Sequence, residues 1–389
     1  MESRYATVYP ICRRVVNLTL LCDDATPRTD NNGALADMRK LYLHVGVHRT
    51  GTTSTQRFFR ANFNELLTKG YLYPFGVARH NSVVNRVRYG MLDAEELARD
   101  LSRRMDAKGD HIHSVILSDE DMSSIQDFSA FTPLARHFEV KVVVSLRRQD
   151  LWLESWYLQN LKWQWNSDLA HLTFDEFFAR RDEFFWVNYS KRLGYYEDLF
   201  GTGSVIAGVF EAADMPDGPI DAMLSMIGIT DQNGLGPKLH HNSSFSALTS
   251  EFVRHLPLDE MDAKDRRVFE QAIAAVDKEL KTNGSKLLMS NAQRLIVQAE
   301  HAGGNQAAAR RYFKRETLFN DLLPDPAAPL ANASLPADTA SLLQDFVVPM
   351  VRALGGILAE TRLAATEVPT VPEGHKRQVP KKDRVRSKV

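Results

Sequence analysis

Cysteine is scarce. Cys12 and Cys22 are the only two in 389 residues, and both precede the first clear strand. That excludes a disulfide scaffold and leaves room for one bridge at most. Free thiols in a reducing compartment, the cytoplasm, are the expected state. An excess of one charge is lacking too: 48 Lys and Arg face 49 Asp and Glu, for a formal net charge of -1. No global field therefore draws nucleic acid or an anionic membrane, and no nucleic-acid partner is expected. No apolar run approaches the length of a membrane span, so no transmembrane segment is expected. The N-terminal stretch has only a short apolar patch at 15–21, broken by Asn17, and lacks a small-residue cleavage site, which argues against a signal peptide. No tight His/Cys/Asp cluster has ligand spacing, so no metal site is read.

What is present is an ordinary folded composition, 44% hydrophobic and 25% charged, in a chain long enough to bury a large core. Residues 1–38 read as an N-terminal extension. A buried strand over 41–45 leads into a helix over 52–67, stopped by Gly70. Short strands follow at 71–73 and 114–117, with a helix at 95–105 and interrupted helical character at 128–138 around Pro133. The run VKVVVSL at 140–146 is the strongest strand, and its β-branched continuity suits a central parallel strand covered on both faces. Helices at 150–162, 174–178 and 189–200 and a strand at 205–210 complete an alternation that implies an α/β fold, with a central, mostly parallel sheet flanked by helices. From about residue 212 the pattern turns helical, at 222–226, 246–256, 265–280 and 292–301. The α/β domain is placed at 39–320. Residues 321–366 form a Pro/Ala-rich loop and a C-terminal helix at 342–354, and 367–389 a disordered basic tail.

The chemistry-bearing stretch is LYLHVGVHRTGTTSTQ, residues 41–56. A strand, a glycine-containing turn and a fresh helix make an anion site, because backbone N–H groups and the helix dipole face the charge. Gly51 permits the turn, and Thr50, Thr52, Thr53 and Ser54 supply hydroxyl and N–H donors. Arg49 supplies a planar fork suited to phosphate oxygens. No lysine follows Gly51, so the triphosphate loop GxxxxGK[ST] and its magnesium site are absent.

This segment resembles the 5′-phosphosulfate-binding loop of sulfotransferases that use 3′-phosphoadenosine 5′-phosphosulfate (PAPS). Bacterial members often begin H-x-G-x-x-K-T-G-T-T-S. His44, Gly46, Arg49, Thr50, Gly51, Thr52, Thr53 and Ser54 stand in matching order, with Arg49 where the family usually has lysine. The family also pairs an arginine at a strand end with a serine eight positions later at the 3′-phosphate. Arg147 and Ser155 have that separation, with Arg148 as an alternative anchor. Arg310, Tyr312, Phe313, Leu318 and Phe319 extend the similarity weakly. The resemblance implies a P-loop-like nucleotide-binding core and PAPS as co-substrate. It further implies sulfonate transfer to a hydroxyl acceptor, a carbohydrate or other hydroxylated metabolite, in the manner of the bacterial branch.

Such transfer needs a cation near the leaving group and a base for the acceptor proton. Arg49 fits the first role. Related enzymes use a histidine or a glutamate for the second. Glu120 leads here because it follows a strand whose end faces the loop, with Asp119 second; capping of the next helix by Ser118 or Asp119 is the plainer reading. His48 lies within the loop and in reach of substrate, whereas His44 points into the core. Trp152 and Trp156 share a helix face. Trp163 and Trp165 lie near its end, where they can meet a sugar ring. Residues 240–244 (HHNSS) form a polar loop suited to the acceptor mouth. Two other functions fit the residues less well: a nucleotide-binding phosphotransferase, and a non-catalytic interaction protein using the basic tail.

Overall fold

A computed structural model describes residues 38–239, 244–280 and 285–366. The expected N-terminal extension, the basic tail from 367, and 240–243 of the polar loop lie outside those residues.

Five strands form one sheet: β1 (Lys40–Gly46), β2 (Tyr71–Leu72), β3 (Ser114–Ser118), β4 (Glu139–Leu146) and β5 (Val205–Val209). All neighbours are parallel, in the order β2-β3-β1-β4-β5. Nine helices matter below. They are α1 (Thr52–Ala61), α2 (Ala94–Asp106), α3 (Gln149–Trp163), α4 (Tyr189–Phe200), α5 (Pro219–Met226), α6 (Ala247–Arg254), α7 (Ala263–Leu280), α8 (Asn291–Ala308) and α9 (Val348–Thr366).

The strands are apolar on both faces because helices cover both. Leu41, Leu43 and Val45 of β1 and Val142, Val144 and Leu146 of β4 share one core with Leu97 and Leu101 of α2 and Trp152 of α3. Tyr42, Ile116 and Val143 point the other way. They pack against Phe58 and Phe59 of α1 and Ile220, Met223 and Leu224 of α5. This is the period-2 alternation of strands buried twice over. Each fully buried aliphatic side chain contributes about 1.5–3 kcal/mol.

Parallel pairing in register puts every strand end on one edge. His44 is level with Ser118 on β3 and Val143 on β4, and the register shifts between His44 and Gly46. The segments leaving β1, β3 and β4 therefore emerge side by side. In open α/β sheets this edge, where the strand order reverses, is where ligands bind.

Several elements differ from expectation. The helix read over 52–67 is two, Thr52–Ala61 and Phe63–Thr68. Asn62 divides them: its side chain donates to the Phe58 carbonyl at 2.9 Å and accepts from the Gly236 N–H at 2.6 Å. Such a side chain competes with the helical ladder. The segment Ser129–Arg136 is 3-10 rather than α, with Pro133 inside it. After β5 no strand appears among the described residues, as the loss of β pattern implies.

The C-terminal helix is much longer than expected. Thr339–Leu342 and α9 are joined through a π-helical turn, Leu343–Val347. Thr339–Arg362 is long and apolar enough, by length and composition, to cross a membrane. That amends the expectation that no apolar run reaches such a length. Pro349 and scattered polar residues divide this run in the sequence. One side of the segment packs on α6 and α7: Phe346 is fully buried and stacks on Phe252 at 4.7 Å.

Candidate functional site

A cavity of about 1060 Å³ opens at the carboxyl edge of the sheet. Its floor is the loop after β1. Gly51 has a φ of 78°, and a Cβ there would sit 2.9 Å from Pro219. Gly46 has a φ of 96°, and a Cβ there would come within 3.2 Å of the Glu120 Cβ. Only glycine fits either place. The loop is pinned from within and below. Thr50 donates to the Val47 carbonyl at 2.6 Å, Trp152 Nε1 donates to the His48 carbonyl at 2.9 Å, and the Val47 N–H donates to Ser145 at 3.2 Å. The N-cap residue of α1, Gly51, offers no side-chain cap. Gly51, Thr52, Thr53 and Ser54 all line the cavity.

Two arginines converge above this helix start. Arg49, itself at φ 67°, donates to three neutral oxygens: Ser155 Oγ at 2.6 Å, Gln159 Oε1 at 3.0 Å and Ser244 Oγ at 2.9 Å. Arg147 donates to the Arg49 carbonyl at 2.7 Å and lies 5.5 Å from the Phe210 ring centre. Among the described residues, neither guanidinium has a carboxylate within ion-pair distance. Burial and, to a smaller extent, the neighbouring Arg147 charge together lower the Arg49 pKa to about 10. Burial also pulls Arg147 down from its ordinary value. Two desolvated, uncompensated cations at an uncapped helix start make an anion site.

The opposite wall is acidic and internally paired. Arg79 binds Asp119 at 2.6 Å, approaches Glu120 at 3.5 Å and pairs with Asp121. Burial alone would lower the Arg79 pKa, but Glu120, Asp119 and Asp121 more than offset it and raise it. Asp119 is fully buried, which pushes its pKa up to about 6 against the pull of Arg79. Burial would raise Asp121 as well, yet the His48 hydrogen bond and the charges of His48 and Arg79 bring it down to about 2. His48 Nε2 donates to Asp121 at 2.8 Å, while its buried Nδ1 has no partner among the described residues. Glu120 accepts from Gln56 Nε2 at 2.6 Å and lines the cavity.

The expected residues thus gather closely. His48, Arg49, Gly51, Thr52, Thr53, Ser54, Glu120 and Arg147 line one cavity, and Ser155 joins it through Arg49. Thr50 sits beneath, buried and turned to its own loop. Asp119 is drawn away by Arg79 and accepts from the Asp121 N–H, the capping reading. Arg148 is not an anchor. It faces the other way, bound to Asp150 at 2.7 Å and to the Asp321 carbonyl at 2.6 Å. His44 is buried 2.7 Å from Ser118 Oγ, with its pKa lowered to about 4 by burial. Trp152 is core. Trp163 and Trp165 stack at 5.2 Å on the cavity wall, with Trp165 62% exposed. Leu318 and Phe319 pack behind the site, where Phe319 meets Tyr189 at 6.2 Å and the Tyr189 hydroxyl accepts from the Arg147 N–H at 3.1 Å.

Sequence reasoning missed Arg79 and Gln56, the two side chains that hold Glu120. Arg79 lies in an irregular segment with no motif, and Gln56 is one polar residue inside a helix. Neither carries a local pattern. The mouth residues Arg267 and Glu270 were also missed; Glu270 pairs with Lys162, which stands beside the tryptophans, at 3.1 Å.

No family model matches the chain, and no curated protein matches it. The structure is distantly and partially similar to the crystal structure of a sulfotransferase from Alicyclobacillus acidocaldarius. Identity is 15% and the TM-score 0.34, over 58% of this chain and 98% of that one.

Proposed function

We propose that this protein transfers a sulfonate group from PAPS to a hydroxyl of a carbohydrate or another hydroxylated metabolite. The observation that carries the reading is the pair Arg49 and Arg147, both buried beside an uncapped helix start and neither matched by a carboxylate. A ligand with two phosphate groups supplies the missing charge. In this reading Thr52, Thr53, Ser54 and Arg49 hold the 5′ end, and Arg147 and Ser155 hold the 3′-phosphate. The cavity exceeds what a nucleotide alone fills, which leaves room for an acceptor against Trp163 and Trp165.

Glu120 takes the proton from the acceptor hydroxyl as that oxygen bonds to sulfur. The sulfur–oxygen bond to the 5′-phosphate breaks, and its electron pair leaves with 3′,5′-adenosine bisphosphate. Gln56 and Arg79 fix the carboxylate, and Arg49 and the α1 N–H groups stabilise the charge on the departing oxygen. The acids near the loop are engaged by Arg79 and His48 rather than free for magnesium, which favours this reading over phosphoryl transfer.

Calorimetric titration tests it. The wild type, Arg147→Ala and Ser155→Ala are titrated with 3′,5′-adenosine bisphosphate and with ATP, and transfer is followed with labelled donor. Preferential bisphosphate binding, weakened in both variants, is the expected result. Equal or tighter ATP binding, indifferent to both substitutions, overturns it.

A further inference from the structure

A second cavity, of about 540 Å³, lies between α4, α8 and the segment that leads into α4. That volume is within the range of small-molecule sites, roughly 300–1,000 Å³. None of its lining residues lines the first cavity. One side of α4 builds the main wall. Lys191, Arg192 and Tyr195, with Asn188 just before the helix, follow the spacing that returns to one helix face. Phe184 and Phe185 add aromatic surface, and Phe185 is 38% exposed at the cavity. The ion pair of Arg181 with Glu300, at 2.5 Å, closes another side.

Arg192 sets the chemistry of this cavity. It is only 6% exposed, yet among the described residues no carboxylate stands within ion-pair distance of it. Nε donates to the Tyr196 hydroxyl at 3.0 Å, and Nη2 donates to the Ile125 carbonyl at 2.6 Å. Nη1 has no hydrogen-bond partner among the described residues. The ring centres of Tyr196, Tyr195 and Phe185 lie 4.5, 5.2 and 5.6 Å from the guanidinium carbon. Those ring faces offset part of the cost of burying the cation, but a buried charge ordinarily has an opposite charge beside it. Glu300 is taken by Arg181, and Asp182 is exposed. We propose that this cavity is a second ligand site, which takes a small aromatic carboxylate. The carboxylate meets Nη1 of Arg192 and the Lys191 ammonium, and the ring packs on Phe185 and Tyr195. Inorganic phosphate would leave those aromatic walls wet, and a cation would meet two charges of its own sign. The same guanidinium holds the turn after Glu120 through the Ile125 carbonyl, so the ligand rests against that turn from outside the first cavity. The inference does not depend on the reaction proposed there.

The test is calorimetric titration of the full chain with cinnamate and with its neutral counterpart cinnamamide. Wild type is compared with Lys191→Glu, Arg192→Met and Arg147→Ala, and circular dichroism with urea midpoints reports folding. Wild type is expected to bind cinnamate, and cinnamamide at least about tenfold more weakly, since the amide lacks the charge that Arg192 and Lys191 meet. Lys191→Glu and Arg192→Met are each expected to lose about tenfold or more in cinnamate affinity. Arg147→Ala, which empties the first cavity of one cation, is expected to bind cinnamate as wild type does. Should Arg192→Met fail to fold, Lys191→Glu decides, because Lys191 is exposed and its substitution spares the core. No cinnamate binding by wild type, equal affinity for cinnamamide, or wild-type affinity in Lys191→Glu or in folded Arg192→Met overturns the proposal. So does a loss in Arg147→Ala, which would assign the binding to the first cavity.

Discussion

Arg49 Nε donates to the Ser155 hydroxyl at 2.6 Å, tying the loop after β1 to the second turn of α3. The other two arms of the same guanidinium reach Gln159 and Ser244. One planar group therefore joins three segments that are distant in sequence, which an ammonium cannot do with the same geometry.

Arg49→Lys keeps the charge and loses the fork. Affinity for 3′,5′-adenosine bisphosphate is expected to fall at least about tenfold, since a hydrogen bond to a charged group contributes about 1.5–3 kcal/mol and tenfold is about 1.4 kcal/mol. In the double variant with Ser155→Ala, the two losses should be less than additive, because both remove the same contact. Calorimetry on the three variants reads this directly, and wild-type affinity in Arg49→Lys would take Arg49 out of the site.

Glu120→Gln preserves shape and removes the proton acceptor. Turnover is expected to fall by about 10²–10⁴, with bisphosphate affinity unchanged. Steady-state rates beside a bisphosphate titration separate the two. Loss of binding together with rate would mean that the carboxylate supports the loop rather than the chemistry.

Stability should fall on mild acidification. Burial holds His44 and His80 at pKa values of about 4, below the ordinary 6.5. Their contribution is complete above pH 6.5 and is lost as pH falls through 4, since only the unfolded chain binds those protons in between. Asp119, raised to about 6 from 3.8, works the other way over 3.8–6, where the folded chain keeps a proton the unfolded chain releases. From these three groups, two against one leave a net uptake of about one proton on unfolding near pH 5, a contribution of about 1.4 kcal/mol lost per unit of acidification. Urea unfolding between pH 4.5 and 6 measures the slope, and His80→Gln should flatten it.

Arg294→Ala should be strongly destabilising. Arg294 is 2% exposed and binds Asp150 at 2.7 Å and Glu154 at 2.6 Å. Removing the cation leaves two buried carboxylates short of a partner, at a cost of about 3–5 kcal/mol. A urea midpoint close to wild type would contradict this.

The parts legible in the sequence were those with a local period or a local motif. The run at 140–146 suits a strand buried on both sides, and it is the strand beside β1. The loop at 46–54 carries its chemistry in consecutive residues. Arg147 and Ser155 stood out because their separation of eight, from a strand end to the following helix, matches the family's pairing; Arg147 lies between β4 and α3, and Ser155 on α3. The acid-holding side was not. Arg79 meets Asp119, Glu120 and Asp121 only because β3 ends beside the segment before residue 80, a closeness made by the sheet rather than the chain. The break at Asn62 was hidden for a similar reason, since one of its bonds comes from Gly236. Arg148 was misread because it adjoins Arg147 in sequence, yet the turn into α3 sends the two side chains to opposite sides.

Helix α3 is buried nearly all round, with Trp152 and Leu153 in the core, Asp150 and Glu154 clasped by Arg294, and Ser155 held by Arg49. It has little freedom to vary. The facing wall is different: Ala263, Arg267 and Gln271 of α7 line the same cavity at spacings of four and are exposed. Any drift in what the cavity admits, whether by selection or by engineering, has its open ground there, one helix away from the residues that keep the molecule together.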